Sequence, residues 1–290
     1  MPKRGRYGSS FTRNGADSGR GRSNNGLLSF EVQPLGVGTS RLAYGCRVCN
    51  GCYRGYTEGS YCIFKVFKPE ARYQDISGPG DDDVDMQKEA RRLAQLFNDE
   101  CSPTKYDEPC DVHVRDAELG CFDKDMKLYD QCGRRFYADE GTTFLLERKI
   151  RGSFEKFNSN SGWTSGRDPI LDAFSHWTWV ETRGEQLVCD LQGHRGELGD
   201  GLPHLDQDYY YLLTDPAVCS RDRMYGESDL GPAGIDAFFR HHVCNEWCRA
   251  LDIDYEKPTY SSGVGHVPRT QSTSYHSLSV RYCSSTSSSS

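Results

Sequence analysis

Side chains that commonly bind metals are concentrated in HVCNEWC, the segment from His242 to Cys248. Cysteines four residues apart, such as Cys244 and Cys248, share one face of a helix. Two thiolates and one imidazole supply three of the four ligands of a closed tetrahedral zinc site. His242 can join them only if the helix begins or unwinds near it, and His176 in AFSHWTW is a candidate for the fourth ligand. The alternative is a helix with two buried thiols and a surface histidine.

Three further cysteines, Cys46, Cys49 and Cys52, lie close together in GCRVCNGC. Their spacing is compatible with a metal site, but the segment reads as a strand that enters a glycine-rich turn, and no histidine follows nearby. We therefore expect free thiols there. The sequence has 13 cysteines and its N-terminus lacks the apolar core of a secretory signal, so we expect a reducing, cytoplasmic environment.

Residues suited to phosphate binding lie in the first part of the chain. The segment GVGTSR, from Gly36 to Arg41, separates two strand-like stretches, and a glycine turn lets backbone N–H groups approach phosphate oxygens. Lys65 interrupts the apolar run CIFKVF, so its ammonium group must face solvent, a partner charge or a ligand phosphate. Glu89 on the following predicted helix is the candidate partner, as in the lysine–glutamate pairs of kinases. A strand lysine that faces water is the alternative.

Two carboxylates follow apolar strand-like segments. Asp190 comes after QLVC and precedes Gln192, and Asp215 comes after YYYLLT. Acidic groups at strand ends next to turns commonly face a cleft. Two carboxylates and an amide oxygen could hold a hard cation, and the same carboxylates could orient or deprotonate a hydroxyl nucleophile. The alternative for Asp215 is a turn-capping role before Pro216.

The elements that position these residues follow from the hydrophobic pattern. The segment VDMQKEARRLAQLFND has helical spacing, and DPILDAFSHWTW reads as a helix that leads into a strand. A single long helix is predicted for GIDAFFRHHVCNEWCRALDID. The predicted strands are LLSFEVQPLG, SRLAYGCRV, YCIFKVFK, TTFLLERKI and EQLVCDLQG. Strands first and mixed elements later predict an α+β fold with two lobes, the first mainly β and the second mixed.

The two ends of the chain differ in composition from the middle. Residues 1–26 form a basic arm rich in Gly, Arg and Ser, and residues 256–290 form a tail rich in Ser, Thr and Tyr. We expect both to be disordered, which leaves 27–255 as the folded domain. The net charge of −7 argues against a domain that binds nucleic acid, and no apolar run is long enough for a membrane span.

Five segments, in this order, resemble the alpha-kinase family, the atypical serine/threonine protein kinases typified by myosin heavy chain kinase and elongation-factor-2 kinase. The segments are LLERKIRGSFEKFNSNSG, AFSHWTW, LVCDLQG, LLTDPAVCS and GESDLGPAGIDAFFRHHVCNEWC. The resemblance covers about residues 27–254. It implies a two-lobed, protein-kinase-like fold and transfer of the γ-phosphate of Mg-ATP to a serine or threonine hydroxyl of a protein whose identity the sequence does not reveal.

The resemblance also implies roles for residues around the nucleotide. Lys65 would contact the ATP phosphates with support from Glu89, and Gly38 and Arg41 would belong to the phosphate-covering loop. The adenine would meet the backbone of a hinge segment, and the polar end of the nucleotide would face two further side chains. The hinge residues are Glu147 and Ile150 with Arg148 adjoining, and the two polar residues are Lys156 and Asn160.

Catalysis and metal binding complete what the resemblance implies. Asp190 would orient the substrate hydroxyl or accept its proton, alongside Lys65. Gln192 and Asp215, joined by Asn160, would hold magnesium. A structural zinc would be bound by His176, His242, Cys244 and Cys248.

Three departures from the family pattern are visible in the sequence. The connection from Gly193 to Thr214 is long, the stretch from Ser102 to Arg135 looks like a polar insertion, and Asp229 stands where many members have Asn. A carboxylate at that position is expected to favour a basic substrate. Two other functions stay open: a catalytically weak, zinc-stabilised nucleotide-binding module that works by protein interaction, and a zinc-dependent nucleic-acid-binding protein.

Overall fold

The computed structural model describes residues 8–11, 26–50, 52–53, 56–69, 78–101, 110–197, 209–254 and 256–258. The architecture within these residues is α+β, as predicted. The strands are β1 (Gly8–Phe11), β2 (Gly26–Phe30), β3 (Gly36–Val37), β4 (Arg41–Asn50), β5 (Cys52–Tyr53), β6 (Tyr56–Thr57), β7 (Tyr61–Phe67), β8 (Cys110–Val114), β9 (Ala117–Cys121), β10 (Met126–Tyr129), β11 (Arg135–Ala138), β12 (Thr143–Arg148), β13 (Glu155–Lys156), β14 (Gln186–Cys189), β15 (Gln192–Glu197), β16 (Tyr209–Leu213) and β17 (Ala217–Ser220). The helices are α1 (Asp81–Glu100), α2 (Pro169–Glu181), α3 (Pro232–His241) and α4 (Glu246–Ala250), with a 3-10 turn at Gly226–Ser228.

The main sheet has the strand order β1-β2-β4-β7-β12-β9, with β3 paired to β4, and all its pairs are antiparallel. Alternation along the strands sends Phe64 and Leu146 into one hydrophobic core. Lys65 and Glu147, the next residues along the two strands, therefore lie on the opposite face of the sheet. This face carries the candidate site.

A second core is built around α1 and α2. Helix α1 begins with three aspartates, whose charge suits a helix N-terminus, and it buries Ala90, Leu93 and Phe97 at helical spacing. Phe97 packs edge-on against Phe174 and Trp177 of α2, with ring centroids 5.1 and 5.4 Å apart. A four-stranded sheet, β13-β15-β16-β8, adds its inner face to this core.

The helix predicted from DPILDAFSHWTW does not lead directly into a strand, because α2 continues through Trp179 to Glu181. Trp179 packs against Phe239 of α3, so the last turn of the helix is held by tertiary contact. A turn with Arg183 and Gly184 at positive φ then reverses the chain before β14.

The single long helix predicted near the end of the domain is two helices. Helix α3 ends at His241, and α4 begins at Glu246. Asn245 caps α4, because its side chain accepts hydrogen bonds from Trp247 N and Cys248 N. Asparagine is a strong N-cap and a weak residue for a helix interior, so the break has a local cause.

The segment predicted as a polar insertion, Ser102 to Arg135, contains strands in its described part. Strand β8 pairs in parallel with β16, and β9 forms the edge of the main sheet beside β12. Buried Val112, Ala117 and Met126 supply the apolar positions for these strands. The polar residues beside them are mostly half-buried, such as His113 and Glu118, and Asp130 is buried.

Several sequence-based predictions fall outside the described residues. Gly8–Phe11 of the predicted arm pairs with β2, while the rest of residues 1–25 and the tail from 259 lie outside. Residues 102–109 and 198–208 do so as well. The proposed domain boundaries therefore stay predictions. Among the described helices, none is both long and apolar enough to cross a lipid bilayer.

Candidate functional site

Lys65 is the central buried cation of the site. Its Nζ donates to Glu147 Oε1 at 2.8 Å and to Thr214 Oγ1 at 3.2 Å, and it lies 3.6 Å from Asp215 Oδ1. The strand register explains the first contact, because Leu145 lies opposite Lys65 and Glu147 is two residues further along the same face. Lysine in this apolar strand therefore faces partner charges rather than water.

The prediction that Glu89 is the partner of Lys65 is wrong. Glu89 lies on α1 and both of its carboxylate oxygens bind Arg92, one helical turn away, at 2.8 Å. The carboxylate beside Lys65 is Glu147, on the neighbouring strand of the same sheet. A side chain on an adjacent strand reaches Lys65 directly, whereas Glu89 is held on its own helix by a local ion pair.

Arg41, at the end of the glycine turn, binds the carboxylates of Asp215 and Asp83. Its Nη1 donates to Asp215 Oδ1 at 2.7 Å, and its Nη2 donates to Asp83 of α1. Gly38 closes the turn itself, since its N–H donates to the carbonyl of Arg41 at 2.9 Å. Burial opposes ionisation of Asp215, but the nearby cations Lys65 and Arg41 outweigh it and hold the pKa of Asp215 below its usual value.

Asp190 forms the other half of the site, directly after β14. Lys156 Nζ lies 2.7 Å from Asp190 Oδ1, and the backbone N–H of Asn160 also donates to this carboxylate. Burial raises the pKa of Asp190 and repulsion from Asp215 adds to it, while Lys156 opposes the rise. Asp190 follows Cys189, which pairs with Ala217 two residues after Asp215, so the two turns lie at the same end of this strand pair.

Both carboxylates have strained backbones. The φ angle is +56° at Asp190 and +53° at Asp215, in the left-handed region that non-glycine residues rarely adopt. Such strain persists where the surroundings impose it, and it is concentrated at functional sites. The Asp215 side chain contacts Lys65, and the Asp190 side chain contacts Lys156.

Two amide side chains border this region. Gln192 Nε2 donates to the backbone carbonyl of Asp215 at 3.2 Å, and Asn160 Nδ2 donates to the carbonyl of Ser228 at 3.1 Å. Both contacts use the amide nitrogen. Amide and carboxylate oxygens are hard ligands of the kind that magnesium prefers, so Gln192, Asn160 and Asp215 are the residues that could hold it.

The predicted hinge residues lie at the end of β12. Glu147 is buried with its carboxylate on Lys65, Arg148 is exposed, and Ile150 is half-buried. Arg148 lines a cavity of about 360 Å³ together with Arg91 of α1 and His113 of β8. The nucleotide contacts of these hinge residues stay predictions.

The four predicted zinc ligands come together. The ligand atoms of His176, His242, Cys244 and Cys248 all lie within 4.8 Å of one another. Cys248 Sγ is 3.5 Å from His242 Nε2, and Cys244 Sγ is 3.9 Å from His176 Nδ1. His242 reaches the cluster because it terminates α3, which meets the condition that the helix unwinds near it.

The protonation chemistry of the cluster fits a metal. His176 Nε2 lies 2.7 Å from the carbonyl of Glu256 and must donate to it, so Nδ1 keeps its lone pair and faces Cys244. Burial lowers the pKa of His242 to about 4, which keeps the imidazole neutral, and raises the pKa of Cys248 to about 12. A buried thiol becomes a thiolate when a cation compensates its charge.

The comparison with known proteins agrees with this geometry. Residues 36–248 match the model of the Alpha-kinase family, which is well over half of the chain. The chain belongs to the alpha-kinase family.

Individual alpha-kinases match to different extents. The chain is 36% identical over 129 residues to alpha-protein kinase vwkA of Dictyostelium discoideum, a match that covers 43% of this chain but only 19% of that protein. A solved structure of an alpha kinase from Entamoeba histolytica is similar with a TM-score of 0.57 at 25% identity, over 82% of this chain and 81% of that one. The alpha-kinase domain of myosin heavy chain kinase A in complex with ADP shares the fold with a TM-score of 0.60 at 23% identity, over 79% and 89% of the two chains.

Three contacts of this alpha-kinase site are missing from the sequence-based prediction. Asp83 binds Arg41, the Glu147 carboxylate binds Lys65, and the Thr214 hydroxyl contacts both Lys65 and Glu147. Asp83 reads as an ordinary acidic residue of a first helical turn. The sequence signal that could have indicated Thr214 is its position directly before Asp215.

Asp229, for which the sequence predicts a preference for basic substrates, lies inside the protein, and its effect on substrate choice stays a prediction. The Asp229 carboxylate accepts hydrogen bonds from Ser220 N at 2.9 Å, Ser220 Oγ at 2.5 Å and Gly231 N at 2.8 Å. The side chain therefore organises the loop around residues 225–231 of this alpha-kinase.

Cys46, from the predicted thiol group, is buried opposite Cys62 on adjacent strands. Cys49 is exposed, and the Cys52 side chain lies outside the described residues.

Proposed function

We propose that the protein is an ATP-dependent serine/threonine protein kinase, which transfers the γ-phosphate of Mg-ATP to a protein hydroxyl. The observation that carries this proposal is the charged cluster of Lys65, Arg41 and Asp215, with Asp190 on the turn at the same end of the β14–β17 strand pair. Family membership supports it, as does the ADP complex of the structurally similar myosin heavy chain kinase A.

The two buried cations would bind phosphate. Lys65 and Arg41 both contact Asp215, so each offers a positive charge to the space beside that carboxylate. Phosphoryl transfer depends mainly on positioning and on neutralising charge that develops on the transferred group. Gly38 would cover the phosphates, Glu147 and Ile150 would meet adenine through the backbone with Arg148 adjoining, and Lys156 and Asn160 would contact the polar part of the nucleotide.

The metal ligands would be Asp215 and the amide oxygens of Gln192 and Asn160. Magnesium, when bound with the nucleotide, neutralises phosphate charge. Asp215 suits this task because its low pKa keeps it ionised at neutral pH.

Asp190 would act on the substrate hydroxyl. The hydroxyl oxygen attacks the γ-phosphorus, the bond from that phosphorus to the bridging oxygen breaks, and the hydroxyl proton passes to Asp190 while ADP leaves. Burial raises the pKa of Asp190, which makes the carboxylate a better proton acceptor. Lys156 limits this rise and fixes the orientation of the carboxylate.

We also propose that His176, His242, Cys244 and Cys248 bind a structural zinc ion. The donor set has two neutral imidazoles and two thiols, which is a closed Cys₂His₂ set. The ion would join α2 to the break between α3 and α4. The ion would stabilise the kinase domain, for which we propose residues 27–255.

Incorporation of radiolabelled phosphate from ATP tests the main proposal. The full chain is incubated with Mg-ATP and a panel of proteins, beside Asp190→Ala and the control Asp99→Ala, which alters an exposed aspartate near the end of α1. We expect labelling by the intact chain and the control, and a decrease of about 10²- to 10⁴-fold for Asp190→Ala. Nucleotide binding by the intact chain without labelling would support the weak nucleotide-binding module instead. Full activity of Asp190→Ala would refute the role of Asp190.

A further inference from the structure

Thr214 connects the buried ion pair to the segment that carries Asp215. We propose that Thr214 is a positioning residue for phosphoryl transfer, which holds Lys65 and Glu147 in the geometry that the reaction requires. The inference rests on the proposed kinase function.

The Thr214 hydroxyl takes part in two hydrogen bonds of opposite sense. It accepts from Lys65 Nζ at 3.2 Å, and it donates to Glu147 Oε2. Glu147 uses its other oxygen, Oε1, for Lys65 at 2.8 Å. The three side chains thus form a closed triangle in which the hydroxyl is the uncharged corner. All three are buried, so each of these contacts is shielded from water.

The backbone of Thr214 anchors this triangle to the metal-binding side of the site. Thr214 N donates to the carbonyl of Gln192 at 3.0 Å, and Gln192 Nε2 donates back to the carbonyl of Asp215 at 3.2 Å. Lys65, Glu147 and Gln192 come from three different strands, β7, β12 and β15. Thr214 therefore contacts all three strands and directly precedes Asp215.

Lys65 lies near two carboxylates, and the Thr214 hydroxyl favours the contact with one of them, Glu147. Glu147 lies at 2.8 Å and Asp215 at 3.6 Å from its Nζ. Without the hydroxyl, Glu147 Oε2 loses its donor inside the protein and Lys65 loses one of its fixed contacts. The ammonium group is then free to move toward Asp215, away from the position where it would meet phosphate. Small displacements of a group that positions a substrate have large effects on rate.

The side chain type at position 214 provides the test. Valine has the shape of threonine without the hydroxyl, whereas serine keeps the hydroxyl. We expect Thr214→Val to lower kcat by roughly 10- to 100-fold, with a smaller change in KM for ATP, and Thr214→Ser to keep most of the activity. Thr143→Val is the control, because Thr143 lies on β12 and its hydroxyl bonds the carbonyl of Pro79, away from Lys65.

A double-mutant cycle with Glu147→Gln separates positioning from general damage. If Thr214 acts through the Glu147–Lys65 pair, Thr214→Val costs little further activity in the Glu147→Gln background. Additive losses, or equal losses in Thr214→Val and Thr214→Ser, would overturn the inference. So would unchanged kinetics in Thr214→Val.

The test also distinguishes this inference from the proposed function. An intact chain without kinase activity removes the proposed function itself, whereas an active chain with a fully active Thr214→Val variant removes only the role of Thr214. If Thr214→Val does not fold, Thr214→Ala supplies the same comparison, since it removes the hydroxyl without adding bulk. Failure of both variants to fold would assign Thr214 a structural role and would also overturn the inference.

Discussion

The Lys156 ammonium group lies 2.7 Å from the Asp190 carboxylate, and Lys156 pairs with Gln192 at the start of the strand that follows the Asp190 turn. Lys156 belongs to a two-residue strand and is partly exposed, whereas Asp190 is mostly buried after β14. The contact therefore joins a lysine that reaches solvent to a carboxylate that is mostly shielded from it. It sets how strongly the proposed proton acceptor holds a proton.

Removal of Lys156 is expected to shift the acidic limb of the pH–rate profile. Asp190 must be ionised to accept a proton, so activity is lost as the pH falls through its pKa. Lys156 opposes the rise of that pKa, and Lys156→Met removes the opposition, so the limb moves to higher pH. The measurement is kcat/KM against pH, with Lys88→Met on the exposed side of α1 as the control. An unmoved limb would exclude Lys156 from this role.

Asp190→Asn is expected to stabilise the folded protein at neutral pH while it abolishes activity. A folded-state pKa above the unfolded value means that the ionised carboxylate destabilises the fold, and this cost grows as the pH rises above the unfolded pKa. Asparagine removes the charge and tolerates φ of +56° better than most residues. We expect a melting temperature about 2–4 °C higher at pH 7, if the gain is near 1 kcal/mol. The gain should shrink as the pH falls toward about 4 and vanish well below it, where aspartate is protonated in both states. A lower melting temperature at pH 7 would contradict this.

Loss of a zinc ligand is expected to reduce both metal content and stability. Cys248→Ala removes one ligand, so the binding free energy that the metal contributes to folding is largely lost. We expect less than one zinc per chain by elemental analysis and a decrease in stability of several kcal/mol. Cys101→Ala is the matched control, because Cys101 is another buried cysteine of the same core but lies outside the cluster. Equal zinc content in both variants would refute the zinc site.

Substitutions of Asp229 should separate its structural role from any effect on substrate choice. Asp229→Ala leaves Ser220 N and Gly231 N without their acceptor, so we expect a loss of about 1.5–3 kcal/mol in unfolding free energy. Asp229→Asn keeps one oxygen for Ser220 N and Gly231 N, and the Ser220 hydroxyl can rotate to accept from the new amide, so only the longer contact from Tyr225 N at 3.3 Å loses its acceptor. It should therefore destabilise the protein less than Asp229→Ala and leave the preference between basic and acidic peptides unchanged. A preference for basic peptides that Asp229→Asn abolishes would support the prediction from the sequence instead.

Much of this alpha-kinase can be predicted from local sequence. Helix α1 follows from apolar residues at helical spacing after three aspartates, and the main strands follow from alternation and buried apolar runs. The sequence also predicts Asp190 and Asp215 at strand ends and a cluster of His176, His242, Cys244 and Cys248, which the structure brings together. These features depend on neighbours within a few residues, or on segments that the family resemblance supplies in order.

The tertiary structure decided the pairings across long sequence separations. Lys65 meets Glu147, 82 residues away, because β7 and β12 are adjacent in the sheet, and Glu89 is nearer in sequence but held by Arg92. Strand order is a non-local property, since it depends on which apolar faces pack against each other across the whole domain. The same holds for Thr214, whose contacts with Lys65 and Glu147 exist only because the end of β16 lies against β7 and β12.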